Sequence, residues 1–453
     1  MFKSRFILSI AVATFFVGCT VKEEVIKYDN KKVQASSELK KEVKQTVEVT
    51  KPLVVKKEYK VSQNEKDFLD ILEDDSYSSL CGSKNKYKEI KALENSEEKT
   101  NLISELFVTY VENLANSCID VKDFQKKLSA KKYDEMNQDY EVYLTDIKKE
   151  EILNKFNSNE ISVKEILDLY APKHPNFFKF IEALDKNSLT TNEYKKLKLN
   201  IERFKLLKYQ GSDNFIQLNV PSTDFTFYED GKVIKNFRTV VGEKESQTPV
   251  LSSNFNYFVI NPTWNIPDSI AKKSIIPKAL KDKNYLKSKN IVIRKNYNLD
   301  SQKIKFSDVN WKKYLKKDVK YIPYKFIQLP STRNGMGRLK FLFKNKYAVY
   351  MHDTIGSWRF KHKNQNLRFA SHGCIRLEHP LGLMQYITTN YTKHNYSYTK
   401  GLYDSFKTSG ISLSKKLPIH LTYITSYINN DGKVSFYKDR YDYDKIQKLN
   451  YNL

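Results

Sequence analysis

The chain lacks the spacings that announce a metal centre. It has four cysteines in 453 residues, and no Cys-x-x-Cys or His-x-x-x-His pair occurs. No segment repeats with a period of 20 to 50 residues, which excludes a solenoid. Long apolar runs are missing, except for Phe6 to Val17, which is too short to span a bilayer comfortably. Acidic residues are outnumbered: 53 Asp and Glu face 78 Lys and Arg, for a net charge of +25. Such a charge invites a nucleic-acid reading. Lysine is spread along the whole chain, however, and Lys, Asn, Tyr and Ile are favoured everywhere. That is a general bias rather than a binding patch, so no nucleic-acid partner is predicted. What is present is a globular composition, 40% hydrophobic with 31 Tyr and 26 Phe, and room for two or three domains.

The N-terminus reads as a targeting segment. Lys3 and Arg5 precede the apolar run, which ends at Phe16-Val17-Gly18-Cys19-Thr20. A small residue before a lone cysteine resembles a bacterial lipoprotein signal. On that reading residues 1–18 are removed, Cys19 is lipidated, and the protein is periplasmic, anchored to a membrane by its lipid. The alternative is an ordinary secreted signal or an uncleaved anchor. Residues 19–60 are dense in Lys and Glu and read as a flexible tether. Cys81 and Cys118 form the remaining pair. An oxidising compartment would let them bond, and two buried reduced thiols are the alternative.

Residues 61–211 follow a helical period. Ser62, Ser162 and Thr190 each stand three residues before a glutamate, as in a capping box. Ile103, Leu106, Phe107, Tyr110, Val111 and Leu114 recur at three and four. This part carries no cluster of catalytic residue types and is predicted to be a scaffold or a docking module for partner proteins.

After residue 211 the period changes to two. Ile216, Leu218 and Val220 alternate with polar residues, as do Phe225 and Phe227. Asp230-Gly231 marks a hairpin. Short, closely spaced strands predict an antiparallel barrel or sandwich. The strand pattern lapses from about 265 to 337. Pro267 to Leu286 reads as helix there, broken by Pro277. This insertion is a candidate cap over a site. The fold class is therefore α+β: a helical N-terminal part, then a mostly antiparallel β domain, residues 212–445, with a helical capping insertion.

The chemistry concentrates at Ser371-His372-Gly373-Cys374-Ile375-Arg376. Upstream lies Tyr350-Met351-His352-Asp353-Thr354. A cysteine attacks as its thiolate and needs a base nearby. Were the motif extended, His372 and Cys374 would share a face. His352, from another strand, is the candidate base. Asp353 beside it would face the opposite way, so a backbone carbonyl is the better orienting group. N–H groups around Gly373 and Cys374 could hold an oxyanion, and Arg376 suits a carboxylate. His352, His372 and Cys374 as zinc ligands is the alternative chemistry. His174, His362, His379, His394 and His420 read as surface or packing residues.

These residues resemble the signature of the L,D-transpeptidases, bacterial wall enzymes, and more closely their larger subgroup with a helical scaffold and a capping insertion. The resemblance extends over about residues 214–444. It includes Arg238-Thr239-Val240-Val241-Gly242, Gln247-Thr248-Pro249-Val250, Asn261 to Pro267 and Gly337 to Phe341. It implies Cys374 as nucleophile, His352 as proton acceptor and donor, and His372 and Gly373 shaping the oxyanion site. Ser371 would support the loop. Tyr350 and Arg376 would lie near the substrate, and Trp264 at the base of the cap. No cofactor or metal is implied. The substrate would be peptidoglycan peptide stems. Two departures stand out. The loop between His352 and Ser371 is longer than the common pattern, and the peptidoglycan-binding module of some relatives is absent.

Overall fold

The computed structural model describes residues 59–130, 140–207, 213–316, 318–319, 321–429 and 431–452. The targeting segment, Cys19, most of the tether and the helix stop expected near Gly211 lie outside them. Among the described residues no helix is long and apolar enough to cross a membrane.

Eight helices come first: α1 (Gln63–Asp74), α2 (Lys84–Ala92), α3 (Glu97–Asn116), α4 (Val121–Ala130), α5 (Lys149–Ser158), α6 (Val163–Tyr170), α7 (Phe177–Lys186) and α8 (Thr191–Lys205). All three predicted capping boxes form, opening α1, α6 and α8. Each satisfies two backbone N–H groups that a helix start leaves unpaired. Helix α3 is the hub. Its apolar stripe, Ile103 to Leu114, is fully buried against α1, α5 and α6. Cys81 and Cys118 are joined by a disulfide, with their Cα atoms 6.4 Å apart.

The β part contains β1 (Phe215–Asn219), β2 (Asp224–Glu229), β3 (Lys232–Gly242), β4 (Leu251–Ile260), β5 (Trp264–Ile266), β6 (Ile291–Arg294), β7 (Lys325–Gln328), β8 (Leu339–Phe343), β9 (Met351–His352), β10 (Phe369–Ser371), β11 (Ile375–Leu377) and β12 (Ser409–Thr422). Their order is β3-β11-β9-β8-β4-β12-β1-β2, and β2 pairs back onto β3, so the sheet closes into a barrel. The β2–β3 turn is Asp230-Gly231, with φ of 48° and 69°. Two positive φ angles are what a tight hairpin of this hand requires. Most pairs are antiparallel, as predicted. β1–β12 and β9–β11 are parallel, and β10 adds to β3 in parallel.

The insertion carries the predicted helix in pieces. A turn at Asp268–Ile270 runs through a wider turn at Ala271–Ile275 into Ile276–Lys281, with Pro277 in the first turn of the last piece. Proline has no N–H to donate to the preceding turn, and it stands directly after the stretch where the helix widens. The insertion also holds a three-stranded sheet, β5-β7-β6, which periodicity did not reveal. Its own core gathers Ile266, Ile276, Ile293, Trp311 and Phe326.

The helical and β parts exchange segments. Phe124 and Leu128 of α4 and Tyr140 belong to the barrel core. Ile424 and Val434, near the C-terminus, belong to the helical core. Helix α8 forms the seam between them. Arg203 is fully buried there, 2.7 Å from Asp444 and 2.6 Å from the Gln447 side-chain oxygen.

Candidate active site

The site is built on three neighbouring barrel strands. Leu339, Phe341, Met351, Ile375 and Leu377 point inward and are buried in the barrel core. Alternate residues therefore point outward. On β8, β9 and β11 those are Lys340, His352 and Arg376. The register places Lys340 opposite His352, and His352 opposite Arg376. The three form one row across the sheet. Cys374 lies just before β11, beside Tyr350, whose carbonyl accepts from Ile375 N–H at 3.0 Å.

The Cys374 loop is held from several sides. Ser371 Oγ donates to the Cys374 carbonyl at 2.6 Å. Thr248 Oγ donates to the Gly373 carbonyl at 2.9 Å and accepts from Gly242 N–H at 2.9 Å. The Tyr441 hydroxyl completes this brace. It accepts from Thr248 N–H at 3.2 Å and donates to the Gly242 carbonyl at 2.7 Å. Thr248 and Tyr441 are fully buried. Gly373 has φ of +99°, a conformation that favours glycine. Among the described residues nothing accepts the Cys374 N–H.

This bend corrects one expectation. The motif is not extended through His372 and Gly373, so the even spacing does not place His372 with Cys374. His372 is exposed at the bend while Gly373 is buried. His352, His372 and Cys374 do not converge as a ligand set among the described residues.

His352 is 6% exposed. Its Nδ1 lies 2.6 Å from the Asp353 carbonyl. A carbonyl only accepts, so in the neutral ring Nδ1 carries the proton; the Met336 carbonyl is a second acceptor beside the ring. The backbone carbonyl is thus the orienting group. The Asp353 carboxylate is occupied elsewhere, accepting from Arg338 N–H at 2.8 Å and Thr354 N–H at 2.7 Å. Burial, with help from Arg376, lowers the His352 pKa to about 4, so the ring is neutral at neutral pH. Burial also raises the Cys374 thiol above its ordinary value. Hydrogen bonds from Tyr350 and the charges of Lys340 and Arg376 oppose this without prevailing. The resting pair is therefore neutral thiol and neutral imidazole.

The remaining predicted residues lie around this row. The Lys340 ammonium sits 3.9 Å from the centroid of the Tyr350 ring. The Arg376 guanidinium is half-buried, with the Arg359 charge near it. Arg359 belongs to the long loop after His352 and donates to the Leu367 carbonyl at 2.7 Å. Trp264 packs against Gly335 at the base of the cap; a Cβ on Gly335 would meet its ring at 2.8 Å. Asn334, fully buried, ties that base together by donating to the carbonyls of Pro262, Gln328 and Leu329. His362, His379 and His394 are exposed, whereas His174 and His420 are buried packing residues.

Sequence reasoning gave no role to Lys340 or Thr248. The signal for Lys340 was a charged residue alternating with Leu339, Phe341 and Phe343, on the face that carries His352. Thr248 gave no local signal, because its partners are distant in sequence.

Residues 213–395 match the family model of the L,D-transpeptidase catalytic domain. That stretch is similar to L,D-transpeptidase catalytic domains. A Haemophilus influenzae protein carrying the name "Putative L,D-transpeptidase" is 29% identical over 269 residues, which is 59% of this chain and 52% of that protein. The chain thus spans about half the length of the curated relative it matches. Among solved structures, an L,D-transpeptidase from Mycobacterium smegmatis is 13% identical, covering 47% of this chain and 59% of its own, with a TM-score of 0.21. A cysteine-to-serine mutant of the Enterococcus faecium L,D-transpeptidase is 12% identical, covering 70% of this chain and 82% of its own, with a TM-score of 0.20. The row Lys340–His352–Arg376 and the loop at Cys374 lie within the matched stretch.

Proposed function

We propose that this protein is a peptidoglycan L,D-transpeptidase with Cys374 as its nucleophile. The observation that carries the reading is the register of β9 on β11. It pairs an oriented, neutral histidine with Arg376, two residues after Cys374, within the stretch that is similar to L,D-transpeptidase catalytic domains.

In the proposed reaction His352 Nε2 takes the Cys374 thiol proton as sulfur attacks the carbonyl of the third residue of a tetrapeptide stem. The N–H groups of Gly373 and Cys374 receive the oxyanion. The C–N bond to the terminal D-alanine breaks, and its amine leaves with the proton from His352. A thioester remains. The side-chain amine of a neighbouring stem then attacks it, His352 takes that amine's proton and returns it to sulfur, and a 3–3 cross-link results. The resting neutral pair fits this order, since proton transfer accompanies attack. We further propose a periplasmic location, with a lipid on Cys19 and a tether that lets the site reach the wall, and wall-synthesis proteins as partners of the helical part.

The test is to incubate the purified protein with disaccharide-tetrapeptide and determine product masses. A cross-linked dimer that has lost one D-alanine supports transfer. A tripeptide product makes water the acceptor, and the enzyme an L,D-carboxypeptidase. Stem attached to an added acceptor protein makes it an anchoring enzyme. No turnover by folded protein, with Cys374→Ala behaving the same, refutes an enzyme and leaves a non-catalytic wall-binding lipoprotein.

A further inference from the structure

Lysine is spread along the whole chain, but the acids that balance it are not. Residues 265–337 hold 18 Lys and Arg against five Asp and no Glu, a net charge of +13. That is half of the chain's +25 in about one sixth of its length. Elsewhere lysines lie against carboxylates, as in Lys86–Glu105, Lys91–Glu73, Lys155–Glu151 and Lys400–Asp404. Among the described residues of the insertion one ion pair forms, Lys325 with Asp268 at 2.9 Å.

The uncompensated charge gathers around two short turns. Ala271–Ile275 and Trp311–Leu315 pack together and give Ile275, Trp311 and Tyr314 to the core of the insertion. Their burial leaves Lys273, Lys312, Lys313, Leu315 and Lys316 exposed. Asp268, just before the first turn, accepts from Ile322 N–H at 3.0 Å and holds Lys325. Two tyrosines adjoin it there. The Lys325 ammonium lies 4.6 Å from the centroid of the Tyr321 ring and 5.7 Å from that of Tyr297. Tyr321 is 63% exposed, more than any other large hydrophobic side chain among the described residues.

Like charges held together without acids repel, and an anionic surface laid over them relieves the repulsion. A double-stranded nucleic acid or an anionic polysaccharide engages the lysines and leaves the tyrosine and leucine in water. A bilayer engages both. Its headgroups take the ammonium groups, and the boundary with the acyl chains takes tyrosine rings and leucine.

We propose that this face of the insertion docks on an anionic phospholipid surface. The proposal rests on the membrane location proposed above and gives the insertion a role there. The tether sets how far the catalytic domain can travel, and the lysine face sets where it rests.

The test places the full chain on vesicles of phosphatidylcholine, or of phosphatidylcholine rich in phosphatidylglycerol, held to both by its N-terminal apolar segment. Amide hydrogen exchange is then followed by mass spectrometry. Peptides from 268–289 and 311–325 should be protected on the anionic vesicles, unprotected on the neutral ones, and released by high salt. Barrel peptides from 215–229 should exchange alike on both, which reports an intact fold. A combined Lys273→Gln, Lys312→Gln, Lys313→Gln and Lys316→Gln variant should lose the protection. The four matching arginine substitutions should keep it, and Tyr321→Ser should weaken it. Equal protection on both vesicles would overturn the proposal, as would protection on neither. So would a Tyr321→Ser variant protected like wild type, or DNA protecting these peptides as well as the anionic vesicles do; the face would then serve any polyanion. In these results the chain still sits on the vesicles, and the membrane location stands. A chain that floats with neither vesicle removes the location and the proposal together.

Discussion

Replacing Thr248 by valine removes one hydroxyl and keeps the shape of the side chain. In the fully buried brace, that hydroxyl donates to the Gly373 carbonyl and accepts from Gly242 N–H, both at 2.9 Å. Neither partner can turn to water, so both become unsatisfied buried backbone groups. Each costs about 1–3 kcal/mol, and Thr248→Val should lose roughly 2–6 kcal/mol of stability. A chemical consequence follows from the same bond. The Gly373 carbonyl and the Cys374 N–H belong to one rigid peptide plane. Releasing the carbonyl frees the N–H that would meet the oxyanion. Loss of one oxyanion donor lowers a rate by about 10²–10³, which bounds the expected fall in acylation. Urea unfolding followed by tryptophan fluorescence measures the first effect, and intact-mass measurement of Cys374 acylation over time the second. Thr248→Ser keeps the hydroxyl and should retain most of both. A Thr248→Val protein within about 0.5 kcal/mol of wild type, acylating at the wild-type rate, would refute the brace.

Three further outcomes are expected. Gly242→Ala should fail to fold stably, because its Cβ would meet Thr248 N at 2.6 Å; a wild-type urea midpoint would contradict this. The disulfide closes a loop of sequence separation 37. The chain-entropy model assigns such a loop about 4 kcal/mol, so a Cys81→Ser, Cys118→Ser double variant should unfold at distinctly lower urea concentration; an unchanged midpoint would contradict the structural role. Burial lowers His352 and His420 to about 4 and His174 to about 3. Their ordinary value is about 6.5, so between that pH and about 4 the unfolded chain binds more protons than the folded one. Stability from these groups should be complete above about pH 6.5. It should decline as pH falls, by up to about 1.4 kcal/mol per pH unit for each histidine. Urea midpoints at pH 7, 6 and 5 check this, and equal midpoints would contradict it.

What the sequence revealed depended on whether the signal was local. The capping boxes at Ser62, Ser162 and Thr190 were legible because both partners lie within four residues. The Asp230-Gly231 turn was legible because few residues accept positive φ. His352 and Cys374 stood out because the chain has few cysteines and histidines and Cys374 is flanked by His372, Gly373 and Arg376. The cap strands Ile291–Arg294 and Lys325–Gln328 were missed because they are four residues long and set among lysines. The exchange of Phe124 and Val434 between cores was invisible: periodicity shows that a face is apolar, not which core it enters. His372 was misplaced for a similar reason. Spacing assumes a regular strand, and a single glycine at φ +99° undoes it.

The central claim is that Cys374 becomes acylated by a peptide stem. It is tested most directly by mixing the protein with tetrapeptide stem, quenching in acid and determining its intact mass. The expected result is a gain equal to the stem less its terminal residue, mapped to Cys374 and absent from Cys374→Ala. An unmodified Cys374 alongside released terminal residue, or the same adduct on Cys374→Ala, would contradict it.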